Sequence, residues 1–230
     1  MFSYNLLMTA IFVLRHPQTT WNRAERYQGR LDAPLSAEGR RQLALAAEAF
    51  RGESLDYIFT SPLSRARHLA DAIAVSTGAP VRTDARLTEM AQGTWEGLHL
   101  GEIRARFPDQ LARWQSRPDL LRFPGGEALV DVERRTSGAF EDIFNEFPGG
   151  TVAVVSHSVV VQVIASRSLN IDLRFLHSIK ISNASVTTLC GTTCPGSLLA
   201  LNVTQALYGS PVAGARAEAC AGASMRRQTT

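Results

Sequence analysis

Two short, uninterrupted apolar runs constrain the fold of this chain more than any other feature of its sequence. Residues 10–14 form the first run, which ends abruptly at Arg15 and His16, and residues 151–155 form the second, which ends shortly before His157. Apolar runs without polar alternation are typical of strands that are buried on both faces of a parallel sheet. The carboxyl ends of such strands meet at the sheet edge where α/β proteins bind ligands, so the two histidines are predicted to face each other there.

The order of the remaining segments predicts a single α/β domain. Ser36 and Pro62 each open a stretch with apolar residues at helical spacing, and residues 127–147 form a longer helical stretch before the second apolar run. Strands that alternate with helices favour a mostly parallel sheet covered on both faces, which is a three-layer αβα sandwich. Residues 185–190 and 197–203 are strand-like runs around a turn, and they predict a C-terminal antiparallel hairpin.

Composition divides the 230 residues into three parts. Residues 1–9 are expected to be an N-terminal extension, residues 10–208 the folded domain, and residues 209–230, rich in Ala, Gly, Ser and Arg, a disordered tail. Residues 84–127 are irregular, and a long irregular segment inside a compact domain usually serves as a lid or substrate loop. Its later part, 99–127, is expected to cover the site, with the following candidate substrate contacts: His99, Arg104, Arg106, Arg113, Arg117 and Arg122.

Charge and cysteine content exclude several classes of protein. The net charge of +3 is too small to predict nucleic-acid binding. No apolar run reaches the ~20 residues needed to span a bilayer, and the N-terminus does not resemble a signal peptide. Cys190, Cys194 and Cys220 do not form a disulfide framework and lack the second pair of a zinc site. They are expected to be reduced thiols in a cytoplasmic protein.

The polar residues near the predicted sheet edge are of the types that phosphoryl transfer needs. Arg65 lies early in the helix after the next strand, Asn22 follows His16 in the same loop, and Glu89 lies in the irregular segment. Arginine forks bind phosphate in a bidentate manner, and a neutral histidine can attack phosphorus. A carboxylic acid whose pKa is raised by burial can protonate the leaving oxygen.

Each of these residues alone has a more ordinary explanation. A histidine at a strand end is more often a hydrogen-bonded structural residue, Arg65 alone suits a solvated helix face, and Glu89 alone suits the surface. Paired histidines can also bind a metal, but Arg15 would repel a cation and no carboxylate has ligand spacing. The two arginines favour an anion, so no metal is expected.

Residues 14–22, which read Leu-Arg-His-Pro-Gln-Thr-Thr-Trp-Asn, resemble the signature of the histidine phosphatase superfamily in its phosphoglycerate mutase-like, phosphatase branch. Further segments resemble the family's other motifs in the same order along the chain, so that the resemblance covers about residues 10 to 207. These segments are 28–32, which includes Gln28 and Gly29, 34–39, 61–66, 87–97, 124–127, 155–157, 183–185 and 201–202.

The resemblance implies a role for each matching residue. His16 would be the nucleophile that becomes phosphohistidine, and Glu89 would protonate the leaving group and then activate water. The residues expected to bind the phosphoryl group are Arg15, Arg65 and His157, and those expected to complete substrate binding are Asn22, Gln28, Gly29 and Ser158. The chain is expected to be a metal-independent phosphomonoesterase without cofactor, acting on a small phosphorylated metabolite. No nucleic acid or membrane is expected as a partner, and a homodimer is left open.

Two alternatives remain open at this level. The first is a phosphoglycerate mutase, although the mutase branch typically carries Glu-Arg-His-Tyr-Gly after its acid, whereas Glu89 is followed by Met-Ala-Gln-Gly. The second is a catalytically weak binding or regulatory protein on the same fold. Pro17 and Ser158 favour it, because each replaces a glycine of the family pattern, and proline also lacks the backbone N–H.

Overall fold

The computed structural model describes residues 7–204. Residues 1–6 and the predicted tail at 209–230 lie outside the described residues, so the proposed domain boundaries stay predictions. The strands are β1 (Thr9–Arg15), β2 (Tyr57–Thr60), β3 (Val81–Thr83), β4 (Thr151–Ser156), β5 (Val186–Gly191) and β6 (Ser197–Val203). The α-helices are α1 (Thr20–Arg23), α2 (Ala37–Ala49), α3 (Ser64–Thr77), α4 (Leu100–Arg106), α5 (Pro108–Ser116), α6 (Leu129–Glu146) and α7 (Ser158–Ser168). Short 3₁₀ helices cover Ala85–Leu87, Gly93–Trp95, Pro118–Leu120 and Leu173–Ser178.

The six strands form one sheet in the order β3-β2-β4-β1-β5-β6. The first four strands in that order are parallel, while β5 runs antiparallel to both β1 and β6. This confirms the predicted mostly parallel sheet with a C-terminal antiparallel hairpin. Arg15 at the end of β1 is in register with Ser156 at the end of β4, so the residues that follow these two strands leave the sheet side by side.

Alternate residues of β1 enter two separate cores. Phe12 and Leu14 pack with apolar residues of α2 and α3 on one face of the sheet. Ile11 and Val13 pack with residues of α6 and α7 on the other face. The apolar residues 10–14 of this central strand are therefore covered on both faces of the sheet, which confirms the three-layer sandwich. A third core lies under the irregular segment and is built around aromatic side chains, among them Trp95, Trp114 and Phe123.

The local predictions differ from the structure only in detail. β1 begins at Thr9 rather than residue 10, because Thr9 already pairs with Gly191 of β5. Ser36 caps α2 as expected, since its hydroxyl accepts a bond of 2.9 Å from the Gly39 N–H. Two helices, α4 and α5, lie within the segment that the sequence marks as irregular.

The prediction about the cysteines is wrong in one respect. Cys194 carries a free thiol, but Cys190 is disulfide-bonded rather than reduced. Among residues 7–204, no helix is both long enough and apolar enough to cross a bilayer.

Candidate active site

The two predicted histidines meet at the carboxyl edge of the sheet. The ring centroids of His16 and His157 are 5.2 Å apart, and both side chains are buried. The His16 backbone N–H donates to the Ser156 carbonyl at 2.9 Å, which continues the pairing of β1 with β4 by one residue. The side-by-side exit of the two strands thus produces the juxtaposition that their sequences predicted.

A hydrogen bond to the next residue sets the tautomer of His16. The Nδ1 atom lies 2.7 Å from the Pro17 carbonyl oxygen, and because a carbonyl can only accept, Nδ1 must carry the proton. Nε2 therefore keeps its lone pair. Burial, followed by the charges of Arg65 and Arg15, holds the pKa of His16 well below its usual range, against the opposing effect of the Pro17 bond. His16 is a neutral imidazole at neutral pH.

His157 stands behind His16 with one ring nitrogen engaged. Its Nε2 lies 2.7 Å from the Ser61 hydroxyl, whereas its buried Nδ1 forms no hydrogen bond with any described residue. Burial, with smaller contributions from Arg65 and His16, also holds the pKa of His157 well below its usual range. The two rings are thus both neutral, which allows them to approach without charge repulsion.

Two buried guanidinium groups flank the histidines. Arg65, in the first turn of α3, donates bonds of 2.7 Å to the carbonyls of Gly29 and Leu31 and one of 3.3 Å to the Asp32 carboxylate. Arg15, the last residue of β1, donates to the Ile181 carbonyl. These bonds hold both side chains in one orientation, while neither Nε atom has a partner among the described residues.

Both guanidinium groups keep their charge despite burial. Burial lowers the pKa of Arg15 to about 10, with Glu89 opposing that effect and Arg65 adding to it. The pKa of Arg65 is also lowered by burial, which Glu89 and Asp32 oppose. At neutral pH two positive charges therefore lie next to a neutral histidine, an arrangement that favours an anion.

Glu89 is a buried carboxyl group that faces the same space. Burial raises its pKa, and the opposing influences are the Met90 N–H and the charges of Arg65, Arg15 and Arg135. One carboxyl oxygen accepts a bond of 2.8 Å from the N–H of Met90. A carboxyl group of this kind can hold a proton at a higher pH than an exposed glutamate does.

Glu127 and Arg135 hold the segment that carries Glu89. The Glu127 carboxylate accepts a bond of 2.8 Å from the Ala91 N–H, and the Glu127 N–H donates to the Ala91 carbonyl at 2.9 Å. Arg135 in turn donates to the Glu127 carboxylate at 2.9 Å. The chain also approaches closely at Gly126, where a Cβ atom would lie 2.3 Å from the Ala91 oxygen. We call Glu127 and Arg135 the acid-loop clamp.

The remaining predicted site residues surround the arginines. Asn22 closes a capping box on α1, since its side-chain oxygen accepts from the Thr19 N–H at 3.0 Å. The Gln28 side-chain oxygen accepts a bond of 3.0 Å from the Thr19 hydroxyl. Gly29 has φ +50, and a Cβ there would lie 2.1 Å from the Glu96 carboxylate, so the close approach of these chains requires glycine. Ser158 opens α7 directly after His157.

A pocket of ≈ 380 Å³ joins most of these groups. Eight of the nine predicted site residues line it, whereas His157 lies behind them and is not part of the lining. The structure also brings in residues that sequence reasoning missed, among them Glu25, Arg26, Tyr27, Gln162 and His177. The first three lie between Asn22 and Gln28, so their place in the loop could have indicated them. His177 carried no such signal, because only tertiary packing brings it to the pocket.

The structure corrects the predicted substrate contacts of residues 99–127, which we call the cover segment. None of His99, Arg104, Arg106, Arg113, Arg117 and Arg122 lines this pocket, and the segment contributes Leu100 and Trp114 instead. For two of the arginines the physical reason is an acidic partner elsewhere. Arg117 pairs with Asp119 at 2.7 Å and Arg122 with Asp131 at 2.7 Å, on the outer surface. Within residues 7–204 no three His, Cys, Asp or Glu side chains group as a metal site.

The fold and the site together define a histidine phosphatase. Residues 11–204 match the family model described as histidine phosphatase superfamily (branch 1), and the chain belongs to that family.

Its relatives include enzymes named for two kinds of reaction. Phosphoserine phosphatase 1 from Hydrogenobacter thermophilus is 34% identical over 197 residues, covering 86% of this chain and 93% of that protein. Probable phosphoglycerate mutase GpmB from Klebsiella pneumoniae is 30% identical over 184 residues, covering 78% of this chain and 83% of that protein. Among solved structures, mycobacterial glucosyl-3-phosphoglycerate phosphatase superposes with a TM-score of 0.77 at 29% identity, covering 86% of this chain and all of that one.

Proposed function

We propose that this protein is a metal-independent phosphomonoesterase, which hydrolyses a small phosphorylated metabolite through a phosphohistidine at His16. The observation that carries the proposal is the state of His16, a neutral ring whose unprotonated Nε2 lies beside two charged guanidinium groups. The names of two relatives, a phosphoserine phosphatase and a glucosyl-3-phosphoglycerate phosphatase, support the same class of reaction.

The first step transfers the phosphoryl group to the enzyme. The bond between His16 Nε2 and phosphorus forms as the ester P–O bond breaks, and Glu89 gives its proton to the leaving oxygen. Arg15 and Arg65 stabilise the charge on the equatorial oxygens, which is the main requirement of phosphoryl transfer. The unengaged Nδ1 of His157 and the N-terminus of α7 at Ser158 add hydrogen-bond capacity on the same side.

The second step regenerates the enzyme. Glu89, now ionised, takes a proton from a water molecule, whose oxygen attacks phosphorus as the bond to His16 Nε2 breaks. Inorganic phosphate leaves, and Glu89 is again protonated. Asn22, Gln28 and Gly29 support both steps, because their hydrogen bonds hold the loop that follows His16 and the guanidinium of Arg65.

Hydrolysis of p-nitrophenyl phosphate in the presence of EDTA tests the proposal. We expect turnover in EDTA, because the two arginines supply the positive charge that a metal would otherwise provide. His16→Ala should abolish it, whereas His68→Ala, which removes an exposed histidine of α3 outside the pocket, should leave it unchanged. Full activity of His16→Ala would remove His16 from the role of nucleophile.

Rapid quenching tests the covalent intermediate. In Glu89→Gln, p-nitrophenyl phosphate can still phosphorylate His16, because p-nitrophenolate leaves without a proton, but water is no longer activated. We expect an acid-labile phosphoenzyme to accumulate. Turnover of p-nitrophenyl phosphate by Glu89→Gln without any such species, on quenching at any time, would indicate direct attack by water.

Assays of phosphate release separate the proposed phosphatase from the two alternatives. A phosphoglycerate mutase would convert 3-phosphoglycerate into its isomer without releasing phosphate in proportion. A binding protein would retain inorganic phosphate on Arg15 and Arg65 but release none from any ester. The cytoplasmic location and the homodimer stay predictions, which cell fractionation and light scattering of the purified protein would test.

A further inference from the structure

One side chain of α7 lines the pocket one turn away from the proposed phosphoryl site. Gln162 follows Ser158 by four residues, so it lies on the same helix face at a rise of ~6 Å. Its amide nitrogen donates a bond of 2.7 Å to the Ile179 carbonyl. The nitrogen is thereby turned away, and the amide oxygen, which can only accept, is the atom left for a ligand.

A second acceptor comes from His177, which is far from Gln162 in sequence. His177 Nε2 lies 2.7 Å from the Trp114 carbonyl oxygen, so Nε2 carries the proton and Nδ1 keeps its lone pair. Burial, with a smaller contribution from Lys180, lowers the pKa of His177 against the effect of the Trp114 bond. The ring therefore stays neutral at neutral pH and offers Nδ1 as an acceptor.

Two aromatic side chains line the same pocket as Gln162 and His177. The Trp114 indole, 6% exposed, and the Tyr27 side chain both line the pocket. The Tyr27 hydroxyl can donate its proton to a ligand. Burial raises the pKa of Tyr27, so the phenol is protonated at neutral pH. Gln162, His177 and Tyr27 thus present two acceptors and one donor to the pocket.

The charged residues of this region are elsewhere or engaged. Glu25 is exposed, and Arg26 donates to the Gly97 carbonyl and lies 3.9 Å from the Glu102 carboxylate. A carboxylate beside Gln162 and His177 would face two acceptors, and an ammonium group there would be buried without a counter-ion. A hydroxyl group both donates and accepts, so it satisfies these partners without burying a charge.

We infer that Gln162 and His177 form a leaving-group subsite that selects hydroxylated phosphomonoesters, the class of sugar and polyol phosphates. The inference rests on the proposed function and adds the substrate class to it. In the bound ester, hydroxyl groups a few bonds from the phosphorus donate to Gln162 Oε1 and His177 Nδ1, and one accepts from Tyr27. Trp114 packs against the carbon skeleton.

Three esters with chains of similar length test this subsite. Glycerol 1-phosphate carries hydroxyl groups, n-propyl phosphate carries none, and 2-carboxyethyl phosphate carries a carboxylate. We expect the kcat/KM of the wild type for glycerol 1-phosphate to exceed those for the other two by on the order of tenfold or more, since two hydrogen bonds are gained. Equal values, or a preference for the carboxylate, would overturn the inference.

Variants identify the residues responsible. Gln162→Met and His177→Phe approximately keep side-chain size and remove one acceptor each. The ratio of kcat/KM for glycerol 1-phosphate to that for n-propyl phosphate should therefore fall towards one, while hydrolysis of n-propyl phosphate persists. Arg104→Gln, an exposed residue of α4 outside the pocket, should keep the full preference. If Gln162→Met fails to fold, because its bond to Ile179 is lost, His177→Phe decides.

The outcomes separate this inference from the function on which it rests. A preference that survives unchanged in both variants overturns the assignment of Gln162 and His177. Hydrolysis without discrimination overturns only the subsite. If the wild type hydrolyses none of the esters, nor p-nitrophenyl phosphate, the proposed function fails and the subsite fails with it.

Discussion

Pro17 carries the atom that decides which nitrogen of His16 can react. The sequence raised the concern that a proline in this position removes a backbone donor. In the structure Pro17 is buried and does not line the pocket, and its carbonyl accepts from His16 Nδ1. The carbonyl is present in proline and glycine alike, so the substitution preserves the hydrogen bond that leaves Nε2 unprotonated.

Glu89 should govern the alkaline limb of the activity profile. Because the acid must be protonated and burial raises its pKa, kcat/KM for an alkyl phosphate should fall as the pH rises through that raised pKa. Protonation of His16 should limit activity only well below pH 6.5, the usual pKa of histidine. Steady-state rates from about pH 4 to about pH 9 would measure both limbs.

Glu89→Gln provides the comparison. It should lower kcat/KM for an alkyl phosphate by ~10²–10⁴-fold and abolish the alkaline limb, since an amide donates no proton to the leaving oxygen. The loss of phosphoryl transfer to His16 should be smaller with p-nitrophenyl phosphate, whose leaving group needs no proton. An unchanged alkaline limb in Glu89→Gln would assign that limb to another group.

At the level of elements, the site depends on how segments distant in sequence are held together. The parallel register of β1 and β4 delivers the two histidines, and α7 begins directly beyond them. The acid-bearing segment is an irregular loop, so it needs external support. The acid-loop clamp supplies that support from α6 and the turn before it, and this explains why the Pro-Gly-Gly-Glu motif belongs to the site although Glu127 is not among the pocket-lining residues.

Glu127→Gln should impair catalysis more than substrate binding. The loss of its charge leaves Arg135 unpaired, and the positive charge of Arg135 already lowers the pKa of Glu89. We expect kcat to fall by about tenfold, equivalent to ~1.4 kcal/mol, with a KM within about twofold. The alkaline limb should move to lower pH, because Glu89 then loses its proton more easily.

Glu133→Gln is the matched control on the same helix. Glu133 pairs with Arg167 at 3.6 Å and lies outside the pocket. The kcat and the pH profile of the Glu133→Gln variant should therefore equal those of the wild type. Glu127→Asp, which keeps the charge, should restore the position of the alkaline limb. A Glu127→Gln variant with normal kcat and an unshifted limb would show that the clamp does not position Glu89.

For the whole molecule, the same buried histidines that suit catalysis make stability depend on pH. Their pKa values are depressed in the folded state, so below about pH 6.5 the unfolded chain binds protons that the folded chain does not. Stability is therefore lost as the pH falls through 6.5. Each histidine should cost about 1 kcal/mol in the free energy of unfolding between pH 7.5 and pH 5.5.

Comparison of variants isolates this contribution from that of Glu89, whose raised pKa acts in the opposite direction. Urea denaturation should show a difference between pH 7.5 and pH 5.5 that is smaller in His16→Asn than in the wild type by about 1 kcal/mol. His68→Asn, at an exposed position of α3, should show the wild-type difference. Equal differences for both variants would mean that His16 is protonated in the folded state.

The sequence by itself determined the layers of the fold and the chemical groups at its edge. An unbroken apolar run indicates burial on both faces of a strand, and the residues after the run leave the strand at the sheet edge. Residues 10–16 therefore predicted both a central strand and a histidine at that edge. The order of the family-like motifs along the chain predicted that Arg65 and Glu89 belong to the same site. These features depend on local patterns, which a single chain displays directly.

Only the tertiary structure decided how those groups are held and what else shares their pocket. The tautomer of His16 follows from one carbonyl contact, and the support of Glu89 follows from Glu127 across a long stretch of chain. Arg117 and Arg122, expected to contact substrate, instead pair with carboxylates on the surface, while His177 reaches the pocket through packing against Trp114. Contacts between residues far apart in sequence are set by the packing of the whole molecule, and no local periodicity encodes them.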